Sequence, residues 1–365
     1  MRGFFMSDFV TRYAFEQRTL DREKIDAMKK DFPSLFGLFL DHMIGMNRST
    51  KTVLSYAYDL KIFLVYLAQV FGVTQDQVTM EFLSSLKPID IDNFLAFSAS
   101  YRSESDVAYN KRHPQKADKR YHTNSAAAQS KKLTVLRQFY RYLQKYYNLP
   151  SNPAALADSP KLEKSKEVLA LDDSEVCEVL SDVESGAKLQ GRRLVFAQKT
   201  QLRDTAILKL MLGTGIRVSE LVGIDLHHIN WAKHYIEVYR KERKNQRVFM
   251  PEDVESALIT YIENERKPAD KNDKSLFISP RTGTRLTVRS VERIVKKYAV
   301  PVGGERIHAH SMRSTYATNL YRNTQDINLV ADALGHNDLE TVKKYTKSGE
   351  ENRERAAKKV NYETQ

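Results

Sequence analysis

The chain has 365 residues, of which 41% are hydrophobic and 28% charged, and its formal net charge is +12. This length and composition predict a globular protein with two domains, and the basic surplus favours a polyanionic partner, either nucleic acid or an anionic membrane surface. No apolar run approaches the roughly 18 residues of a transmembrane helix, and the N-terminus is too short and too polar for a signal peptide.

Cysteine usage and motif content exclude several classes of protein. Cys177 is the single cysteine, so an internal disulfide is excluded and the chain fits a reducing cytoplasm. The sequence has no Cys/His cluster with metal-ligand spacing and no phosphate-cradling Gly-x-x-x-x-Gly-Lys-Ser/Thr loop. We therefore expect no bound metal and no cofactor.

Helical periodicity begins early in the chain. Residues 1–48 predict two helices separated by a break at Pro33, which we interpret as an extension packed on the next domain. Ser49 or Thr50 is suited to cap a long amphipathic helix that ends at Gly72. The apolar stripe along this helix predicts that one of its faces is buried.

The next helices and a basic loop complete the N-terminal half. A short helix is expected to stop at Pro88, and another to begin at Asp90 or Asp92. Residues 102–122 predict a long polar loop, and an amphipathic helix follows from about Ser125. The basic residues that stand out are Lys111 and Arg112 in the loop, and Lys131, Lys132 and Arg137 on the helix, away from its apolar face. Those in the loop are candidates for phosphate contact, and a solvated charged surface is the alternative interpretation.

A linker separates the two predicted domains. Residues 150–166 contain three prolines, mixed charge and no periodicity. The predicted organisation is an N-terminal helical extension at 1–48, a helical domain at 49–155, a linker at 156–168 and a second domain with a charged tail at 169–365.

The second domain carries a first candidate for phosphate binding. An apolar helix over residues 201–213 ends on Gly213 and Gly215, and Arg217 lies just past this turn. Glu220 is one helical turn further on, at the spacing that lets its carboxylate brace the Arg217 guanidinium.

A hairpin is predicted next in the chain. Alternating residues at 234–239 and 248–250 indicate two short strands around a basic tip, which holds Lys241 and Lys244. The elements expected after it are a helix at 252–265, a strand at 276–279 and, after a turn, another helix.

The last part of the chain combines residue types suited to phosphoryl transfer. His310 and Arg313 stand three apart, so on a helix both side chains would leave one face. His336 follows a predicted helix end at Gly335, and Tyr345 comes nine residues later. Arginine presents forked donors that match a phosphate, histidine exchanges a proton near neutral pH, and a tyrosine hydroxyl can attack phosphorus. Each residue alone is weak evidence, but their order and spacing indicate metal-free phosphoryl transfer.

Four motifs in this order resemble the tyrosine recombinase (phage integrase) family: GTGIRVSEL around Arg217, then HSMR, then ALGH, then Tyr345. The resemblance covers the chain from about residue 49 to about residue 350. It implies that Tyr345 is the nucleophile and that the other catalytic residues are Arg217, Lys241, His310, Arg313 and His336. The sequence departs from the family in two places. The usual glycine-rich hairpin tip is replaced by R-K-E-R-K-N, which leaves Lys244 as the alternative to Lys241, and Ser314 stands where the family usually has histidine.

The resemblance also implies a fold and partners. The expected fold is mainly α with a small β-sheet or hairpin: an N-terminal helical, SAM-like core-binding domain and a C-terminal α+β catalytic domain. Candidates for DNA contact are Lys131, Lys132 and Arg137, together with Lys111, Arg112 and Lys244. Double-stranded DNA is the expected partner, and assembly into a tetramer on DNA is implied. A DNA-translocating motor protein stays open as a further partner, and no membrane partner is expected.

The function that this resemblance implies is site-specific recombination. The enzyme would cleave and rejoin duplex DNA through a 3′-phosphotyrosyl intermediate. A Xer-like role in resolving chromosome dimers, and so in chromosome partition at cell division, suits the length and the two-domain plan. The alternatives are the integrase or transposase of a mobile element, a type IB topoisomerase-like enzyme that only relaxes DNA, and a non-catalytic DNA-binding protein on the same fold.

Overall fold

The computed structural model describes residues 12–101, 122–161, 169–186, 191, 197–240, 245–335 and 342. The chain divides into two compact units, the first ending at Lys166 and the second beginning at Glu167. This division falls inside the predicted linker at 156–168. The predicted mainly helical fold with a small antiparallel sheet is confirmed.

The first unit is a helical bundle with one minimal strand pair. Its helices are α1 (Arg12–Lys29), α2 (Ser34–Gly45), α3 (Thr50–Phe71), α4 (Met80–Ser85), α5 (Pro88–Ala99), α6 (Ala126–Tyr147) and α7 (Pro153–Leu156). Strands β1 (Ser100–Tyr101) and β2 (His122–Thr123) pair antiparallel at either end of the basic loop.

The N-terminal helices share a core with the rest of this unit. One apolar cluster contains fully buried residues from four helices: Ile25 on α1, Phe36 on α2, Phe63 on α3 and Phe139 on α6. In the described part of residues 1–48, the predicted extension is thus an integral layer of the bundle, since Phe36 packs against the ring of Phe139 at a centroid distance of 4.5 Å.

The ends of α3 follow from its sequence. The hydroxyl of Ser49 accepts a hydrogen bond from the backbone N–H of Thr52, and Gly72 ends the helix with a positive φ of 69°. By length and composition the helix could cross a membrane, although Asp59 and Lys61 interrupt its apolar residues. Leu60 and Leu67 are fully buried in the bundle, so α3 is here a core helix.

The start of α5 differs from the sequence prediction. Pro88 occupies the first turn of α5, whereas the helix was expected to begin at Asp90 or Asp92. The reason is that the first helical N–H has no partner within a helix, so proline is tolerated there. Asp90 instead accepts a hydrogen bond from the backbone N–H of Lys87, which closes the first turn.

The second unit combines helices with a three-stranded sheet. Its helices are α8 (Asp173–Ser185), α9 (Gln201–Thr214), α10 (Val218–Val222), α11 (Glu252–Asn264), α12 (Val288–Gly303), α13 (Ala309–Thr324) and α14 (Ile327–Leu334). The strands are β3 (Ile229–Asn230), β4 (Tyr235–Tyr239) and β5 (Asn245–Phe249), antiparallel in the order β3-β4-β5. The predicted hairpin is therefore confirmed, and its last register pair is Tyr239 with Asn245.

The strand expected at 276–279 does not form. Ile278 makes only an isolated bridge with Arg285. Its backbone N–H donates to the hydroxyl of Tyr261 on α11, a side-chain acceptor, so the segment is held without a ladder of strand hydrogen bonds.

Helix α9 is the central element of the second unit. Its residues are buried on almost every side, and it packs against α8, α11 and α13. Gly215 ends it with φ 62°, and a Cβ at this position would overlap the ring of Tyr316 on α13. The chain leaves this turn directly into Arg217.

Candidate functional site

Arg217 is held by a buried carboxylate. It caps α10, where its backbone N–H donates to Glu220 Oε2 at 3.0 Å and its Nη1 donates to Glu220 Oε1 at 2.7 Å. The Glu220 side chain is 5% exposed and that of Arg217 is 37% exposed. The predicted brace is confirmed. It anchors one edge of the guanidinium and leaves the group partly accessible to an anion.

Arg313 lies on α13 and is only 2% exposed. Its Nη1 donates to the carbonyl of Gly215 and its Nη2 to the carbonyl of Leu334. One guanidinium thus joins the end of α9 to the end of α14, using carbonyls that helix ends leave without partners.

His310 stands in the first turn of the same helix but is exposed. Its carbonyl accepts from the buried hydroxyl of Ser314 at 3.2 Å, the residue that departs from the family pattern. The side chains of His310 and Arg313 therefore differ in exposure, although they lie one turn apart.

Arg240 is a site residue that the sequence interpretation did not single out. It follows β4 directly, is 5% exposed, and its Nε lies 3.5 Å from Glu220 Oε1. Its Nη1 donates to Gln246 Oε1 on β5, and its Nη2 donates to the carbonyl of Ala333 at 3.4 Å. Burial lowers the pKa of Arg240, and the charge of Glu220 opposes that shift. Glu220 thus serves two arginines.

The hairpin and α13 together hold the last turn of α14. Arg240 donates to Ala333, Gln246 Nε2 donates to Asp332 at 2.6 Å, and Arg313 donates to Leu334. The next residue is Gly335, whose φ of 59° confirms the predicted helix end. A Cβ at Gly335 would overlap Arg240 Nη1 and Gln246 Oε1, so both side chains would have to shift to admit any other residue.

Several predicted site residues lie outside the described residues: Lys111, Arg112, Lys241, Lys244, His336 and Tyr345. Their described neighbours are Arg240, Gly335 and Val342. Val342 is fully buried against Val330 and Leu334, so the chain three residues before Tyr345 packs on α14.

The basic residues of α6 have partners within the first unit. Lys132 is 4% exposed, its Nζ lies 3.6 Å from Asp59 Oδ1, and burial lowers its pKa. Arg137 donates to the carbonyls of Ala154 and Ala157, both at 2.9 Å, and so fastens α7. The expected surface position is corrected for Lys132, whose ammonium group is buried, and its contact with DNA stays a prediction. Lys131 is exposed, although it also pairs with Asp59 at 2.9 Å.

One group of side chains with metal-ligand chemistry occurs in the described residues. Asp225, His227 and His228 each place a ligand-type atom within 4.8 Å of the others. The sequence interpretation missed this group because the two histidines are adjacent in the chain. The Asp225 carboxylate already accepts from Arg285 Nη2, and the Asp225 N–H donates to His228 Nδ1 at 3.0 Å. One carboxylate oxygen of Asp225 and Nδ1 of His228 therefore already have protein partners.

Comparison with known proteins gives consistent matches. Residues 187–352 match the model of the phage integrase family. Tyrosine recombinase XerC of Caldanaerobacter subterraneus subsp. tengcongensis is 29% identical over 345 residues, which cover 90% of this chain and 87% of the relative. Tyrosine recombinase XerC of Myxococcus xanthus is 31% identical over 230 residues, which cover 61% of this chain and 72% of the relative.

A solved structure shares the fold. The XerH site-specific recombinase, bound to a palindromic difH substrate in a post-cleavage complex, matches with a TM-score of 0.59 and 22% identity. The match covers 86% of this chain and 81% of that chain.

Proposed function

Because the chain belongs to the phage integrase family of tyrosine recombinases, we propose that it is a Xer-like site-specific recombinase. It is a DNA breaking-rejoining enzyme, and duplex DNA is its partner. The Xer-like assignment is supported by relatives named XerC that align over most of their own length. The residue roles are supported by one observation above all: buried Glu220 holds a half-exposed Arg217 beside the turn that Arg313 fixes.

The scissile phosphate is proposed to bind at Arg217 and Arg313. A guanidinium carries five N–H donors, so the partly exposed Arg217 can bind a non-bridging oxygen while one of its donors holds Glu220. For Arg313, which is 2% exposed, the proposed role rests on the family motif. Two positive charges also stabilise the extra negative charge of the pentavalent transition state. His336, one residue beyond Gly335, is proposed to donate a further hydrogen bond.

Tyr345 is the proposed nucleophile. A tyrosine hydroxyl has a pKa near 10, so little phenolate exists at neutral pH and a base is needed. His310 is exposed and close in sequence to Arg313, which suits it to accept that proton. As the phenolic oxygen bonds to phosphorus, the bond to the 5′ oxygen breaks, and Lys241 (or Lys244) supplies the proton that the departing oxygen takes up.

Strand exchange follows from the reverse reaction. The 3′-phosphotyrosyl bond conserves the energy of the broken phosphodiester, so the 5′ hydroxyl of another strand can attack it. Joining two duplexes uses four active sites, and we propose a tetramer on DNA, working on chromosomal DNA in the cytoplasm. A DNA-translocating motor protein is a proposed activator.

Covalent capture tests this function. The protein is incubated in EDTA with nicked duplexes from its own genome, including fragments that flank its gene, and adducts that resist denaturant are mapped. We expect an adduct at one site with the wild-type chain and none with Tyr345→Phe. Tyr58→Phe, which alters a 51%-exposed tyrosine of the first unit, is the matched control and should keep the adduct.

The outcome also separates the alternatives. Adducts at many unrelated positions, with relaxation of supercoiled DNA, would support the topoisomerase-like alternative. DNA binding without any adduct would support the non-catalytic one.

A further inference from the structure

The base of the β4–β5 hairpin is fixed by one buried guanidinium. Arg240 touches three different elements: Glu220 on α10, Gln246 on β5 and the Ala333 carbonyl on α14. Its side chain is 5% exposed, so the guanidinium is almost fully removed from water. Removing one partner of a charge buried to this degree leaves it uncompensated, which is strongly destabilising.

The same contacts connect three parts of the proposed catalytic set. Glu220 holds Arg217, Arg240 is followed directly by Lys241, and Ala333 lies three residues before His336. Gly335 provides the space, because any side chain there would overlap Arg240. The last residue before Lys241 is therefore held in place relative to Arg217, through Glu220.

We infer that Arg240 is a positioning residue that holds the hairpin lysine where it can protonate the leaving 5′ oxygen. This inference rests on the proposed function. Arg240 acts through Lys241 and does not itself touch the DNA, since its guanidinium is turned inward onto α10 and α14. The reaction it supports is the one given above: the tyrosine oxygen bonds to phosphorus, the P–O5′ bond breaks, and the lysine ammonium gives its proton to that oxygen.

A change of leaving group tests this role directly. At the mapped site, cleavage is measured on two nicked duplexes, one with the normal 5′ oxygen and one with sulfur in its place. A thiolate has a pKa near 8.5 and departs without a proton, so the sulfur substrate does not need the lysine. Arg240→Met should lower the rate of cleavage of the oxygen substrate by roughly 10²-fold, the size of a general-acid contribution. The rate on the sulfur substrate should stay within about threefold of the wild-type rate.

A matched control and a fallback variant complete the design. Arg247→Met removes an exposed arginine of β5, which stacks on Tyr235 at 4.9 Å, and should leave the oxygen-to-sulfur ratio at the wild-type value. If Arg240→Met melts below the assay temperature, Arg240→Lys is used. That variant keeps the charge beside Glu220 but has no planar fork for Gln246 and Ala333, and the same selective loss on the oxygen substrate is expected.

Equal losses on both substrates, or wild-type cleavage of the oxygen substrate, would overturn the positioning role. Failure of the proposed function looks different, because the wild-type chain itself would then give no adduct that depends on Tyr345.

Discussion

Arg313 donates a hydrogen bond to the carbonyl of Gly215, a residue 98 positions earlier in the chain. This bond joins the turn that presents Arg217 to the helix that carries His310, and a second bond from Arg313 reaches the end of α14. Arg313 is therefore both a proposed ligand of the phosphate and the residue that holds the turn before Arg217, helix α13 and the end of α14 together. Its replacement should therefore disturb folding and chemistry together, whereas Arg217 offers a cleaner test.

Arg217→Ala should abolish most cleavage while the chain stays folded and bound to DNA. The side chain is partly exposed and stabilises charge that develops in the transition state, so we expect a loss of roughly 10³-fold in the rate of adduct formation. The control is Arg322→Ala, because Arg322 has nearly the same exposure, 36%, and also pairs with an acid, Asp173, at 2.9 Å. A similar loss in both variants would contradict a specific role for Arg217.

Glu220→Leu should destabilise the second unit. The variant leaves Arg240 buried without its counter-charge, a change that costs about 3 kcal/mol or more, which corresponds to a fall in Tm of about 10 °C. Thermal unfolding followed by circular dichroism measures this. Glu184→Leu is the control, because the half-exposed Glu184 pairs with Lys209 at 2.9 Å in a setting where an ion pair is worth about 1 kcal/mol or less. Equal Tm values for the two variants would show that the Glu220 carboxylate is not the counter-charge we describe.

Gly335→Ala separates the cost of backbone conformation from that of crowding. Gly335 and Gly72 both end helices with positive φ, 59° and 69°, but a Cβ at Gly72 meets nothing within 4 Å, whereas one at Gly335 overlaps Arg240 and Gln246. Gly72→Ala should therefore lose only the roughly 1–2 kcal/mol of a left-handed alanine. Gly335→Ala should lose more stability and should also reduce cleavage, since the side chains of Arg240 and Gln246 must shift from their partners. Equal losses in the free energy of unfolding for the two variants, with an unchanged cleavage rate in Gly335→Ala, would contradict the importance of the close contact at Gly335.

The comparison of Gly335 with Arg240 shows how far sequence reasoning reaches. Helix ends at Gly72, Gly215 and Gly335 were predictable because glycine has a local conformational reason to be there. The burial of Arg240 was not predictable, because the residue stands beside a run of basic residues that resembles a solvated hairpin tip. Its partners come from α10 and α14, which are distant in sequence. The burial of Lys132 was missed for the same reason: the partner that makes this burial tolerable, Asp59, lies on another helix.

His228 should make stability depend on pH. Burial first, and then the neighbouring His227, lower the pKa of His228 below 6.5, so the unfolded chain takes up a proton at higher pH than the folded one. Stability is therefore highest above pH 6.5 and falls as the pH drops from there toward the folded-state pKa. The structure gives the reason, because Nδ1 accepts from the Asp225 N–H at 3.0 Å and a protonated ring could not. Tm measured from pH 7.5 to pH 5 should fall less steeply in His228→Asn than in the wild-type chain. His227→Asn, an exposed neighbour, should keep most of the wild-type slope, and identical slopes in all three proteins would place the pH dependence elsewhere.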